Sequence, residues 1–289
     1  MLVVSVFDGY SGAQQALLSL GIHPQAYFAS EVDKFAIQVT QKNFPKTIQI
    51  GDIKKIGPEL PLLRPDLFIG GSPCQDLSIA HKGREGLNGA SSGLFFEYVR
   101  LKGLLHPKYF VLENVASMKE LDKKLISEIM GVEPILIDSS LVSAQSRKRL
   151  YWTNIPVEQP EDAGILLRDI LIPHLEDTRE YLLSTKELAY MDRRVAGGRT
   201  HWDFKHHHDA ANAKSHCLPA NLHKGVPYNV IIDQFGQKRK LTPVEAERLQ
   251  GLTDDYTSGV SKSQRYKMLG NGFNIPTIAH ILKGLACQK

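Results

Sequence analysis

A chain of 289 residues, 42% hydrophobic and 23% charged, has ordinary globular proportions and room for one full-sized catalytic domain with a smaller lobe. Its formal charge of +4 is only a weak pull toward a polyanion, and no apolar run approaches the ~18 residues that span a bilayer, which excludes a helical membrane protein. Three cysteines, Cys74, Cys217 and Cys287, show neither a disulfide framework nor zinc-ribbon spacing, so the chain reads as an intracellular protein of a reducing compartment.

Met1 to Phe7 is apolar but lacks a basic flank and a small-residue cleavage site, so it reads as a buried first strand rather than a signal peptide. It runs through Asp8-Gly9-Tyr10-Ser11-Gly12 into a helical pattern over 13–20. A second strand over 27–30 ends in Glu31, and a helix follows over 33–43. Residues 48–50 end at Gly51-Asp52, residues 67–69 are stopped by Gly70-Gly71-Ser72-Pro73, and residues 109–112 by Glu113-Asn114. Strands alternating with helices predict a parallel, doubly wound α/β sheet of the Rossmann type. Ligands of such sheets bind at the carboxyl ends of the strands, and here those ends carry Asp8 and Gly9, Glu31, Asp52, and Ser72-Pro73-Cys74.

Singly, these residues are ambiguous. Gly9 and Gly12 let backbone amides approach a ligand, yet they do not complete a G-x-G-x-x-G, and a tight turn accounts for them equally well. Glu31 suits paired ribose hydroxyls and Asp52 an adenine amino group; each also suits a helix cap. Most lone cysteines are inert, but Cys74 follows a strand on a Gly-Pro turn, with an acid at the next strand end. That setting favours a nucleophile.

After about Ile155 the alternation fades. Residues 158–180 hold seven acids against two bases, and residues 193–240 hold nine Lys and Arg against three Asp. Six of the eleven histidines lie between His201 and His223. A basic face for nucleic acid and an ordinary solvated face are equally open on charge alone. The histidine spacings fit no standard finger, and no metal site is expected. Leu241-Thr242-Pro243-Val244-Glu245 then predicts a helix start: Thr242 as N-cap, Pro243 first in the helix, Glu245 as the capping-box acid.

Across nearly its whole length the sequence resembles the DNA cytosine-5 methyltransferase family, with the motifs in the family's order. Phe7-Asp8-Gly9-Tyr10-Ser11-Gly12 resembles the cofactor loop, Ser30-Glu31-Val32-Asp33 the ribose motif and Gly51-Asp52-Ile53 the adenine motif. Gly71-Ser72-Pro73-Cys74-Gln75 resembles the nucleophile motif, Glu113-Asn114-Val115 the base-binding motif, and Gln145-Ser146-Arg147-Lys148-Arg149 the Gln-x-Arg-x-Arg motif. Lys240 to Glu245 with Arg248 to Gly251, and Gly270 to Pro276, are similar to the last two. Residues 1–155 also look like the eukaryotic de novo enzymes, as in Leu77-Ser78-Ile79 and Gly93-Leu94-Phe95-Phe96-Glu97. Ser11 departs from the glycine that many bacterial relatives carry.

The resemblance implies S-adenosylmethionine as cofactor, held by Phe7, Asp8, Gly9, Gly12, Glu31, Val32, Asp52, Ile53, Ser72, Pro73, Leu94 and Asn271. It implies base flipping, attack of Cys74 on carbon 6 of cytosine, and a protonated Glu113 at ring nitrogen 3. Asn114 would orient Glu113 and the turn, while Arg147 and Arg149 would hold the base oxygen or nearby phosphates. Residues 76–92 would close over DNA, with Ser78, Lys82 and Arg84 as contacts. It further implies a catalytic domain of residues 1–154 plus 239–289 and a target-recognition lobe of residues 155–238, in which Arg199 and Lys205 would meet phosphates. Double-stranded DNA is the expected partner of a monomeric, cytoplasmic, nucleoid-associated enzyme of a bacterial or phage-infected cell, with no membrane and a cognate restriction endonuclease as a candidate companion. Within the family the alternative is a tRNA methyltransferase, whose Cys-Phe-Thr tripeptide is not matched by Cys217-Leu218-Pro219. Outside it stand an inactive DNA-binding regulator, which the intact Cys74, Glu113, Arg147 and Arg149 argue against, and a nucleotide-binding oxidoreductase, which leaves Cys74 unexplained.

Overall fold

The computed structural model describes residues 1–57, 64–73, 93–173, 175, 177–194, 198, 200, 213–225 and 228–288. Packing divides the chain into two compact units, Met1–Asp138 with Lys148–Pro160 and Gly272–Lys289, and Ser139–Arg147 with Glu161–Asn271. The sequence reading joins residues 239–289 to the first unit, whereas packing leaves 239–271 with the second.

The first unit runs β1 (Leu2–Val6), α1 (Gly12–Ser19), β2 (Ala26–Ser30), α2 (Lys34–Asn43), β3 (Ile48–Gln49), β4 (Leu67–Gly71), α3 (Gly93–Leu105), β5 (Tyr109–Val115), α4 (Glu120–Met130), β6 (Ile135–Asp138) and β7 (Lys148–Thr153). The strands form one seven-stranded sheet in the order β3-β2-β1-β4-β5-β7-β6. β1 and β4 are apolar on both faces because helices cover both sides. Val4, Val6, Phe68, Leu112 and Trp152 join Phe95, Tyr98, Leu101 and Leu105 of α3 and Ile126 and Met130 of α4 in one core. α1 packs against the returning helix α8 (Ile275–Leu282).

The five strands that the sequence reading located are parallel, as expected; two further strands, β6 and β7, make the sheet mixed. β7 lies antiparallel between β5 and β6. A parallel return needs a crossover of a dozen or more residues, usually a helix, and the link from β6 to β7 holds only the short 3-10 turn Ser139–Leu141. Order reverses between β1 and β4, which makes their carboxyl ends the switch point of the sheet.

The second unit holds α5 (Thr185–Met191), the hairpin β8 (Val230–Ile232) with β9 (Lys238–Lys240), α6 (Pro243–Gln250) and α7 (Lys262–Asn271). α6 starts as its sequence predicts: Thr242 caps Glu245 N–H, the Glu245 carboxylate accepts from Thr242 N–H, and Pro243 opens the helix. The same fully buried carboxylate accepts two bonds from Arg239, at 2.7 and 2.8 Å, and one from Ile172 N–H. The Arg239 bonds fasten β9 to α6, and the Ile172 bond ties α6 to earlier residues of this unit.

Candidate active site

Register brings the motif residues of the first unit to one edge. Val6 of β1 pairs with Ser30 on one side and Gly70 on the other, Ala29 pairs with Gln49, and Gly71 pairs with Glu113. The loop after β1, Glu31, Gly51-Asp52, Ser72-Pro73 and Glu113-Asn114 therefore emerge side by side. Ser30 Oγ bonds to Gly51 O at 2.7 Å, tying two of these ends together.

The loop after β1 takes an unusual course. Phe7, Gly9 and Ser11 all have left-handed φ, of 56, 58 and 61°. Only glycine adopts such values freely; a side chain there costs roughly 1–2 kcal/mol. Gly9 faces open space, with nothing within 4 Å of the position a Cβ would take. Ser11 is held by its hydroxyl, which donates to Asp8 Oδ2, while Tyr27 Oη donates to Asp8 Oδ1 at 2.7 Å. Both oxygens of Asp8 thus turn inward, so its side chain acts on the loop itself. Burial pushes the Asp8 carboxyl up to about 6, against the pull of its hydroxyl donors, with the Glu31 charge adding to the rise.

Glu31 also shapes the loop: Oε2 accepts from Gly9 N–H at 2.8 Å, and Oε1 accepts from Val32 and Asp33 N–H at 2.7 and 2.8 Å. Oε1 is thereby filled, while Oε2 keeps an acceptor site for a ligand hydroxyl. Beside it, Val32 is 71% exposed, an apolar side chain at the rim. Asp52 caps the turn Ile53–Lys55 through Oδ1, and Oδ2 has no protein partner among the described residues. Ile53 points into the core instead of outward, and Phe7 and Leu94 pack against that core. Arg100 of α3, which the sequence reading did not single out, donates to Ile53 O and Ile56 O at 2.9 and 3.0 Å and fixes this turn. Its only sequence signal is a cation three residues after Glu97, which reads as an ordinary helix-surface pair.

At the neighbouring strand ends, Asn114 Nδ2 donates to Ser72 Oγ at 2.9 Å while its Oδ1 accepts from Val115 N–H at 2.7 Å. That clamp holds the turn leading through Pro73 into Cys74. The Glu113 carboxylate pairs with Arg149 Nε at 2.8 Å, both side chains mostly buried. Glu113 Oε2 lies 2.9 Å from where a Cβ on Gly71 would sit, so only glycine leaves it room. Arg149, expected on the base or on phosphate, here orients Glu113. Arg147 belongs to the second unit, is 3% exposed and donates to Gly270 O and to Cys217 Sγ. Its guanidinium therefore binds scaffold, not a surface ligand. Gln145 behaves alike, bonding to Leu249 O, Gln250 Oε1 and Leu218 N–H. Asn271, the exposed last residue of α7, is placed in the second unit. The segment after it returns to the cofactor loop, where Tyr10 Oη donates to Phe273 O at 2.5 Å.

Among the described residues of the basic stretch, four cations are taken up in ion pairs. Arg239 pairs with Glu245, Lys240 with Glu187, Lys214 with Asp162 and Lys238 with Asp192. Linear charge counts miss this, because the neutralising acids lie outside the stretch. Arg193, Arg194 and Lys224 are exposed. Cys74, Ser78, Lys82, Arg84, Arg199 and Lys205 lie outside the described residues, as do His201 and His206 to His208. No helix among the described residues is long and apolar enough to cross a membrane.

Comparison with known proteins agrees with this geometry. The family model for C-5 cytosine-specific DNA methylase matches residues 1–187 and 212–287. The Type II methyltransferase M1.ScrFI of Lactococcus lactis subsp. cremoris is 29% identical, over 96% of this chain and 75% of its own. The Type II methyltransferase M.NlaX of Neisseria lactamica is 28% identical, over 96% of this chain and 94% of its own. The structure of the Entamoeba histolytica methyltransferase EhMeth superposes with a TM-score of 0.78 at 17% identity, covering 98% of this chain and 97% of that one. The fold is thus that of the S-adenosylmethionine-dependent methyltransferases, and the chain belongs to the C-5 cytosine-specific DNA methylase family, as a DNA (cytosine-5)-methyltransferase.

Proposed function

We propose that this enzyme methylates carbon 5 of a flipped-out cytosine within a specific duplex sequence, through a covalent bond to Cys74. The observation that carries the reading is the contact of β4 with β5: the Glu113 carboxylate, set by Arg149, abuts Gly71 three residues before Cys74. A nucleophile for carbon 6 and an acid for ring nitrogen 3 must reach one ring, and adjacent strand ends supply both.

The loop fits S-adenosylmethionine. Gly9 opens onto free space, Glu31 Oε2 and Asp52 Oδ2 retain acceptor sites for ribose hydroxyls and an adenine amino group, and Val32 offers an apolar face for a flat ring. When bound, the cofactor supplies an electrophilic methyl carbon on a sulfonium.

The protein's part is then as follows. The Cys74 thiolate adds to carbon 6, and the electron pair released at carbon 5 makes that carbon nucleophilic. Glu113, protonated when it meets the base, shares that proton with ring nitrogen 3, so negative charge does not accumulate on the ring. Asn114 holds the Ser72 turn that leads to Cys74. Once carbon 5 carries the methyl group, its proton passes to a base, carbon 5 and carbon 6 regain their double bond, and the thiolate leaves.

Residues 155–238 are assigned the choice of target, with Arg199 and Lys205 as phosphate contacts that position without reading sequence. Arg147 is assigned to holding the second unit together. The enzyme acts as a monomer in the cytoplasm, and a restriction endonuclease of the same specificity is its candidate companion. Cys74→Ala should abolish methylation while leaving cofactor affinity unchanged, read by bisulfite sequencing of DNA from expressing cells and by calorimetry. Retained methylation would remove Cys74 from the mechanism.

A further inference from the structure

The loop that faces the cofactor site contains two left-handed residues with side chains, Phe7 and Ser11. Ser11 stands where a glycine would meet no penalty, so something must hold it. The hydroxyl of Ser11 donates to Asp8 Oδ2, and the second oxygen of the same carboxylate is taken by Tyr27 Oη at 2.7 Å. Tyr27 lies on β2, paired to β1 at Val3, and is 3% exposed. Three buried groups, on β2, in the loop after β1 and at the start of α1, thus form one chain of bonds: phenol, carboxylate, hydroxyl. Asp8 N–H donates to Ser30 O at 3.2 Å and Gly9 N–H to Glu31, so the same β2 end also grips the loop backbone.

We propose that Tyr27 is a positioning residue for cofactor binding: acting through the Asp8 carboxylate on Ser11, it holds the loop of residues 7–12 in its left-handed course and thereby sets affinity for S-adenosylmethionine. The inference rests on the cofactor reading given above. It assigns to Asp8 a role beneath the loop, where both its oxygens are used, instead of a contact with the ligand.

Each hydroxyl takes one oxygen of the Asp8 carboxylate, so removing either donor leaves the other to hold the carboxylate, and with it the loop, alone.

The test is calorimetric binding of S-adenosylmethionine by the protein, with methylation kinetics. Tyr27→Phe keeps the packing and removes one donor. It should raise Kd and the cofactor KM by on the order of ten- to a hundredfold, the effect of one bond to a charged group, with kcat at saturating cofactor unchanged. Adding Ser11→Gly to Tyr27→Phe should restore part of the affinity, since glycine holds the same φ unaided. Equal Kd and KM in wild type and Tyr27→Phe, with both proteins folded by circular dichroism, would overturn the inference alone. Failure of the wild type to bind S-adenosylmethionine would overturn the cofactor reading and this inference with it.

Discussion

Replacing Gly71 with Ala tests how closely the two catalytic strand ends fit. The added Cβ would sit 2.9 Å from Glu113 Oε2 and 3.0 Å from Phe273 Cε1. Ordinary carbon contacts need about 3.5 Å, so one neighbour must move by roughly half an ångström. Neither moves easily: Glu113 is pinned by Arg149 at 2.8 Å, and Phe273 is a buried ring whose carbonyl accepts from Tyr10. Overpacking of this kind costs about 1–3 kcal/mol of stability. A displacement of about 1 Å in a reacting group costs about a hundredfold in rate, so half of that predicts a loss in kcat of roughly tenfold. Gly103→Ala is the control: nothing lies within 4 Å of its added Cβ, and it sits inside α3, where alanine stabilises by about 0.5–1 kcal/mol. Single-turnover methylation of a duplex oligonucleotide, with urea denaturation of each variant, separates the two effects. A Gly71→Ala enzyme within twofold of wild-type kcat would refute the geometry at the Glu113 carboxylate.

Ser11→Ala should lose more cofactor affinity and stability than Ser11→Gly, by roughly 1–2 kcal/mol, because alanine keeps the left-handed cost and loses the bond to Asp8; equal effects in calorimetry and melting would mean that backbone strain plays no part. Asp8 titrates near 6 against an ordinary 3.8, so its contribution to folding is present below about pH 4 and is lost as pH rises through 6. Unfolding free energies of wild type and Asp8→Asn, compared between pH 4 and 7, should therefore diverge by ~3 kcal/mol in favour of the asparagine variant, and parallel curves would show that the carboxyl is not buried as described. Glu245→Ala strands the buried Arg239 guanidinium and removes the α6 cap; denaturation should register a loss of about 3–5 kcal/mol, and a loss under 1 kcal/mol would argue against the buried pair.

The elements legible in the sequence are those whose causes are local. Short apolar runs ended by glycine or an acid located β1, β2, β4 and β5, and the pattern Thr242-Pro243-Val244-Glu245 located the start of α6. What escaped is long-range. Nothing local tells that β7 slots antiparallel between β5 and β6, since direction is set by the length of the connection and not by the strand. The charge runs do not reveal pairing, which is spatial: Arg239 lies in a basic stretch, yet it is buried against Glu245. At the site, the motifs named the right edge of the sheet, but their chemistry could not distinguish a side chain facing the ligand from one facing inward. Asp8, Ile53 and Arg147 all face inward. Tyr27 and Arg100 have no motif signal, for each acts through bonds to residues distant in sequence.

The central claim is that Cys74 attacks the cytosine ring beside Glu113. Its most direct test is incubation of the enzyme and S-adenosylmethionine with duplex DNA carrying 5-fluorocytosine at the methylated position. Fluorine cannot leave as a cation, so a ring methylated through a covalent route stays bonded to the thiol. A denaturation-resistant adduct, with the modified peptide containing Cys74, is the predicted result, and Cys74→Ala should give none. DNA methylated at cytosine carbon 5 by an enzyme that forms no such adduct, or an adduct mapped to Cys217 or Cys287, would contradict it.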